Sequence, residues 1–76
     1  MAEGPEWVTF TQVSGHTAAG KRVQVKTGVV MHDGGPRFAI AIGSTPPVIV
    51  DDENGKQLGV NTFVALHEKT KRARRP

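Results

Sequence analysis

Residues 14–22, SGHTAAGKR, contain most of the residue types of a phosphate-binding loop. Gly15 is followed by four residues and then by Gly20 and Lys21, as in the pattern G-x-x-x-x-G-K-[ST]. That pattern also needs a Ser or Thr after the lysine to hold Mg²⁺, and a helix whose N-terminus holds the phosphates. Here Arg22 follows the lysine, and in the next segment β-branched residues alternate with polar ones, as in a strand. The stretch therefore predicts a loop between antiparallel strands, and we expect the protein not to be an enzyme.

Metal-binding and nucleophilic groups do not converge in the sequence. His16, His32 and His67 form no i, i+2 or i, i+4 pair of the kind that metal sites use. The chain has no cysteine, which excludes disulfides, thiolate zinc sites and cysteine nucleophiles. The acidic segment 51–55, DDENG, lacks the alternating ligands of a calcium loop. We expect no catalytic residue, no metal and no cofactor.

Basic residues are concentrated at the end of the chain. Residues 69–76, KTKRARRP, hold five basic groups and no acid, whereas residues 1–68 hold five basic and seven acidic groups. The formal net charge of +3 therefore comes from this segment. A dense block of like charge with no large apolar residue is typical of a disordered interaction arm. The sequence predicts a single domain over 1–68 and a flexible basic tail over 69–76.

Nucleic acid, DNA or RNA, is the first partner that these charges indicate, because cations that neutralise phosphates release counterions without reading sequence. Lys21, Arg22 and Lys26 add a small patch on one predicted strand. The alternatives are a tail that only solubilises the protein or, in a eukaryote, directs nuclear import. The predicted nucleic-acid contacts are Lys21, Arg22, Lys26, Lys69, Lys71, Arg72, Arg74 and Arg75.

A second functional hypothesis is a protein-interaction or homo-oligomeric scaffold. A chain of 76 residues buries only about 60% of the surface that its unfolded form exposes, so apolar residues on both faces of its strands favour a protein partner or a second copy. The small side chains of Ala39 and Ala41 would allow another backbone to approach closely. The predicted interface residues are Trp7, Ala39, Ala41, Ile49 and Phe63.

Apolar residues recur with a period of two through most of the chain, which is the pattern of strands. We predict strand cores near 7–13, 21–31, 37–42 and 48–51, with a bulge or bend at Gly28. The segment HDGGP, 32–36, has the composition of a turn. The predicted core is Val8, Phe10, Val23, Val25, Val29, Phe38, Ile40, Ile42, Val48, Val50, Val60, Val64 and Leu66.

The segment after residue 51 allows two interpretations. Asn54-Gly55 is typical of a type I′ hairpin turn, and 58–68 alternates as a fifth strand would. Alternatively, Asn61 or Thr62 caps a short helix through FVALHEKTKRA. The β-branched residues as far as Val64 favour the strand.

Five short strands predict an all-β fold, a small antiparallel barrel whose closure removes exposed edges. Residues 59–66, GVNTFVAL, resemble the last part of an SH3 domain, where a Gly, a helical turn and an aromatic–Val pair enter the final strand. The resemblance implies an SH3-like barrel, with an OB-like barrel as the other form. It implies no ligand-binding residues, because the tryptophan pair and acidic loop of that family have no counterpart. Without an apolar run of about 20 residues or a secretory signal, we expect a cytoplasmic protein with no membrane partner.

Overall fold

The structure, a computed structural model, describes residues 5–73. They form four strands and one helix in the order β1 (Trp7–His16), β2 (Arg22–His32), β3 (Gly35–Ile42), β4 (Val48–Val50) and α1 (Asp52–Ala73). The strands make an antiparallel sheet in which each pairs with its neighbour in sequence, β1-β2-β3-β4. All four predicted strands are therefore present. Asp33 and Gly34 join β2 to β3 with φ of 52° and 78°, the two positive angles that a type I′ turn requires.

Strand pairing divides the side chains between two faces of the sheet. Val29 lies opposite Phe38, and Phe38 opposite Val50, so these three share one face. This face, named the apolar face below, holds no charged residue along the four strands. Its larger members are Val13, Val23, Val25, Val29, Met31, Phe38, Ile40, Ile42, Val48 and Val50.

An irregularity in β1 changes which face its first residues occupy. The register shifts between Trp7 and Thr9, so Val8 is the extra residue of a bulge. Trp7 then pairs with Val30 and Phe10 with Gly28, which places both aromatic rings opposite the apolar face. The prediction that Phe10 belongs to the core with Val25 and Val29 is wrong, because Phe10 pairs with Gly28 and so lies on the opposite face from these valines. Strict alternation from Val8 onwards could not anticipate the shift.

The chain after β4 is helical, so the predicted hairpin at Asn54-Gly55 and the predicted fifth strand are wrong. Asp51 caps the helix: its carboxylate accepts hydrogen bonds from the Asn54 backbone N–H at 2.8 Å and from Asn54 Nδ2 at 3.0 Å. Asp52 and Glu53 in the first turn suit the positive end of the helix dipole. The alternative of a helix here is right in kind, but α1 begins ten residues before Thr62.

The fold is therefore a four-stranded open sheet with one helix, not a five-stranded all-β barrel of SH3-like or OB-like form. Residues 59–66, which resemble the end of an SH3 domain, lie in the middle of α1. The helix also runs through Lys69 to Ala73, so this part of the predicted disordered tail is ordered. Residues 74–76 lie outside the described residues.

Burial within one chain is slight and lies opposite the apolar face. Among the described residues the buried hydrophobic ones are Val30, Ala39 and Ala41. None of them belongs to the predicted core, several members of which are exposed, including Val8, Phe10, Ile42 and Val48. α1 contains no buried residue, and Gly55 in its first turn packs against the ring of Phe38. The predicted closed core does not form. An open four-stranded sheet that contacts the helix only near its first turn has no enclosed interior.

Candidate nucleic-acid interface

The face of the sheet opposite the apolar face combines aromatic and basic side chains. β1 contributes Trp7 and Phe10, and β2 contributes residues that alternate along its length. Arg37 lies opposite Val30 and so belongs to the same face. This surface is named the aromatic-basic face and consists of Trp7, Phe10, Arg22, Gln24, Lys26 and Arg37.

Gly28 sets the position of the aromatic pair. A Cβ atom at Gly28 would lie 2.6 Å from Phe10 Cα and 2.8 Å from Phe10 Cβ, so only glycine fits there. β1 therefore approaches β2 closely, next to the bulge at Val8. The predicted bulge or bend at Gly28 is not found, because the register of β2 runs without a break through Gly28 and the bulge lies in β1 at Val8. On the same side of the sheet, Val30 and Ala39 have no exposed surface.

The Lys26 ammonium lies over both aromatic rings. Its Nζ atom is 4.6 Å from the centroid of the Phe10 ring and 5.5 Å from that of Trp7. The two rings are tilted by 59° with their centroids 5.6 Å apart, an edge-to-face type of contact. A cation at this distance is attracted by the negative faces of the rings. Phe10 nevertheless remains 44% exposed, so solvent still reaches the pair.

Charge on the sheet has one sign. Among the described residues, the four strands contain Arg22, Lys26 and Arg37 but no Asp or Glu. The carboxylates lie before β1, in the β2–β3 turn, around the start of α1 and late in α1, where Glu68 pairs with Arg72 at 3.0 Å. The acidic balance of residues 1–68 therefore does not apply to the strands. The strand faces present a field that attracts anions.

The segment that resembles a phosphate loop is a hairpin connection between β1 and β2. The Gly20 N–H donates to the Thr17 carbonyl at 2.8 Å, and the Lys21 N–H donates to Thr17 Oγ1 at 3.1 Å. These two amides are therefore already used within the loop. A strand, β2, follows instead of a helix, as the sequence indicates.

The remaining predicted nucleic-acid contacts are placed apart from the sheet. Lys69, Lys71 and Arg72 lie in the last turns of α1. Positive charges there are stabilised by the negative end of the helix dipole. At about 100° per residue, Lys69 and Arg72 lie on one side of the helix and Lys71 on another, so the three form no single stripe. Arg74 and Arg75 lie outside the described residues. Lys21 is exposed in the hairpin loop beside Arg22.

The predicted interface residues do not form one surface. Trp7, Ala39, Ala41 and Ile49 share the side of the sheet that carries the aromatic-basic face, whereas Phe63 lies in α1. Ala39 and Ala41 are buried within the single chain, at 0% and 6% exposure. A partner backbone therefore has no direct access to them.

Sequence reasoning missed two members of the aromatic-basic face. Phe10 alternates with the apolar Val8 and is therefore predicted in the core, whereas the structure places Val13 of the same strand on the apolar face and Phe10 on the opposite one. Arg37 alternates with Phe38 and so faces away from the apolar face, a signal already present in the pattern RFAIAI.

No group of three or more His, Cys, Asp or Glu residues that could hold a metal is found within the described part of the chain. Within that same part, no helix has the length and apolar character to cross a membrane. Comparisons with protein-family models, with curated proteins and with solved structures give no match.

Proposed function

We propose that the protein binds single-stranded nucleic acid through the aromatic-basic face. The observation that supports this is the Lys26 ammonium over the rings of Phe10 and Trp7, on strands without a carboxylate. Single-strand binding surfaces combine cations that follow the backbone with aromatic rings on which bases stack. Paired bases in a duplex do not offer their faces to such rings, so the arrangement favours single strands.

Lys26 has a defined part in this binding. Its flexible four-carbon stem lets the ammonium leave the rings and contact a phosphate. The ring faces of Phe10 and Trp7 then become available to bases. Arg22 and Arg37, on neighbouring strands, provide further phosphate contacts on either side. The basic end of α1 adds sequence-independent attraction, as proposed from the sequence for Lys69, Lys71 and Arg72.

The direct test uses the fluorescence of Trp7, which is the single tryptophan of the chain. Titration with a short oligo-dT should quench this fluorescence as a base stacks on the indole. Phe10→Leu keeps an apolar side chain over Gly28 but removes one ring. It should weaken binding by roughly 5- to 150-fold, the equivalent of about 1–3 kcal/mol per stacked base.

Charge is tested separately with Lys26→Gln. Loss of one phosphate contact should lower the slope of log affinity against log salt by about 0.7 on a single strand. Lys56→Gln is the matched control, because Lys56 is an exposed cation in the first turns of α1 and away from this face. Oligo-dT and oligo-U of equal length compare DNA with RNA. Equal affinity for duplex and single strand, with Trp7 fluorescence unchanged, would contradict the proposal.

A further inference from the structure

The single chain is unusually open for a folded protein of its size. Its accessible surface is 6264 Å², whereas a folded monomer of 8.2 kDa exposes about 4,500 Å². Its radius of gyration is 15.0 Å, against about 11 Å for a compact domain of 76 residues. The molecule measures 52 × 29 × 15 Å, so it is close to a single layer. Domains are normally built of two packed layers around a core.

Two apolar surfaces account for this openness. On the apolar face of the sheet, Val13, Met31, Ile42 and Val48 are all exposed, Ile42 by 54%. On α1, three apolar residues at helical spacing form what is called here the α1 stripe: Val60, Phe63 and Val64. Phe63 is 72% exposed. Neither surface carries a charge that would explain its contact with water.

α1 also needs a packing partner on energetic grounds. Gly55 and Gly59 lower its intrinsic stability, and its β-branched residues add little to it. Helix stability in proteins comes mostly from packing an apolar face, and this helix has no buried residue.

We infer that two copies of the chain pair so that α1 of each covers the apolar face of the other. A helix of 22 residues is about 33 Å long, and the 11 residues of β2 span about 36 Å. The helix of one copy therefore matches the length of the sheet in its partner. The arrangement has two-fold symmetry and supplies each sheet with the second layer that it lacks.

The area involved agrees with a stable dimer. The excess surface is about 1,700 Å² per chain on the size relation for monomers. Two chains would then bury about 3,400 Å² in total, within the 2,000–5,000 Å² of obligate dimers. The aromatic-basic face lies on the opposite side of each sheet and stays open. The pairing is therefore independent of nucleic-acid binding.

Sedimentation equilibrium of the full chain, without nucleic acid, tests the inference. The expected mass is twice that of the 8.2 kDa chain. Phe63→Asp in the α1 stripe and Ile42→Lys on the apolar face should each raise the dissociation constant of the dimer by roughly 100-fold or more. Leu58→Ser is the matched control, because Leu58 lies about 140° around the helix from Phe63.

Mixing the two variants tests the exchange of helices. In a mixed dimer, the unaltered helix of the Ile42→Lys chain meets the unaltered sheet of the Phe63→Asp chain, while both substitutions meet in the other contact. Recovery of dimer on mixing supports the exchange. Two monomeric variants that stay monomeric when mixed would overturn it, as would a parent chain that is monomeric at tens of micromolar. Loss of DNA binding with pairing intact would count against the proposed function alone.

Discussion

The two faces of the sheet share the same strands but differ in their chemistry. The apolar face carries aliphatic side chains and Phe38, without a charge, and several of these side chains are exposed. The aromatic-basic face carries Arg22, Lys26 and Arg37 beside two rings, and Val30 and Ala39 on the same side of the sheet are buried. The apolar face is thus left exposed to solvent, whereas the side with the two rings contains buried residues. The difference teaches that the exposed apolar side chains and the proposed nucleic-acid contacts lie on opposite sides of the sheet, so substitutions should separate their effects.

The largest effect is expected on the apolar face. Phe38→Ala removes the ring that packs against Gly55 of α1 and should lower the free energy of unfolding by about 3 kcal/mol. Urea unfolding followed by circular dichroism measures this change. The affinity for oligo-dT, measured where the variant is folded, should stay within twofold. A stable variant with weakened binding would reverse the roles of the two faces.

A somewhat smaller effect is expected at Gly28, where both faces should respond. Gly28→Ala forces a methyl group against the backbone of β1 and should cost about 2 kcal/mol, as overpacking does. Because Phe10 must move, quenching of Trp7 by oligo-dT should weaken as well. Gly15→Ala is a useful control, since a Cβ atom there meets nothing within 4 Å. Equal stability of the two variants would show that the close approach of β1 is dispensable.

Arg37→Gln should act on the aromatic-basic face alone. The expected change is a decrease of about 0.7 in the salt slope for a single strand, because one phosphate contact is lost. Stability should change by less than about 0.5 kcal/mol, as for an exposed residue. Fluorescence titration at several salt concentrations and a urea curve give both values. An unchanged slope would remove Arg37 from the interface.

The effect on nucleic-acid binding is expected to be smallest at Asp51, which belongs to neither face and should affect stability alone. The backbone N–H of Asn54, followed by the Asn54 side chain, holds the pKa of Asp51 below its ordinary value of 3.8. A lowered pKa in the folded state means that this contribution is present above about pH 5 and is lost as the pH falls through the folded pKa. Asp51→Ala should lower the Tm by about 5 °C at pH 7 and by less at pH 3.

Asp51→Asn separates the charge of the cap from its hydrogen bond. Asn is also a good N-cap, so this variant should keep most of the Tm at pH 7 and lose the pH dependence. Oligo-dT affinity at neutral pH should remain that of the parent in both variants. A Tm of Asp51→Ala that runs parallel to the parent from pH 7 to pH 3 would argue against an ionised cap.

Strict alternation made β2, β3 and β4 predictable, including which of their residues share a face. Prediction failed where a local signal competed with the pattern. At Val8, one extra residue transferred Trp7 and Phe10 to a common face, and no residue type in the sequence marks that bulge. At Asn54-Gly55, a dipeptide typical of hairpins lies three residues after Asp51, whose side chain caps a helix instead. β-branched Val60, Thr62 and Val64 disfavour a helix only weakly, so they did not decide the outcome.

Part of the candidate site could be predicted from the sequence. Arg22 and Lys26 were placed together on one strand face from spacing alone, and the structure adds the rings beneath Lys26. Their contact depends on the β1–β2 register, which the bulge and Gly28 set jointly. Charge sums over residues 1–68 hid the site, because the carboxylates lie off the strands. A net charge summed over the whole segment does not show that folding places the acidic and basic residues in different regions.

The order of the strands bears on how quickly the chain folds. Each strand pairs with its neighbour in sequence, so every pairing in the sheet closes a short loop. Low contact order of this kind allows rapid folding, and single hairpins form in about 1–10 microseconds. The sheet can therefore assemble before α1 finds its place. A slow refolding phase whose rate rises with protein concentration would then report the arrival of the second chain and not the making of the sheet.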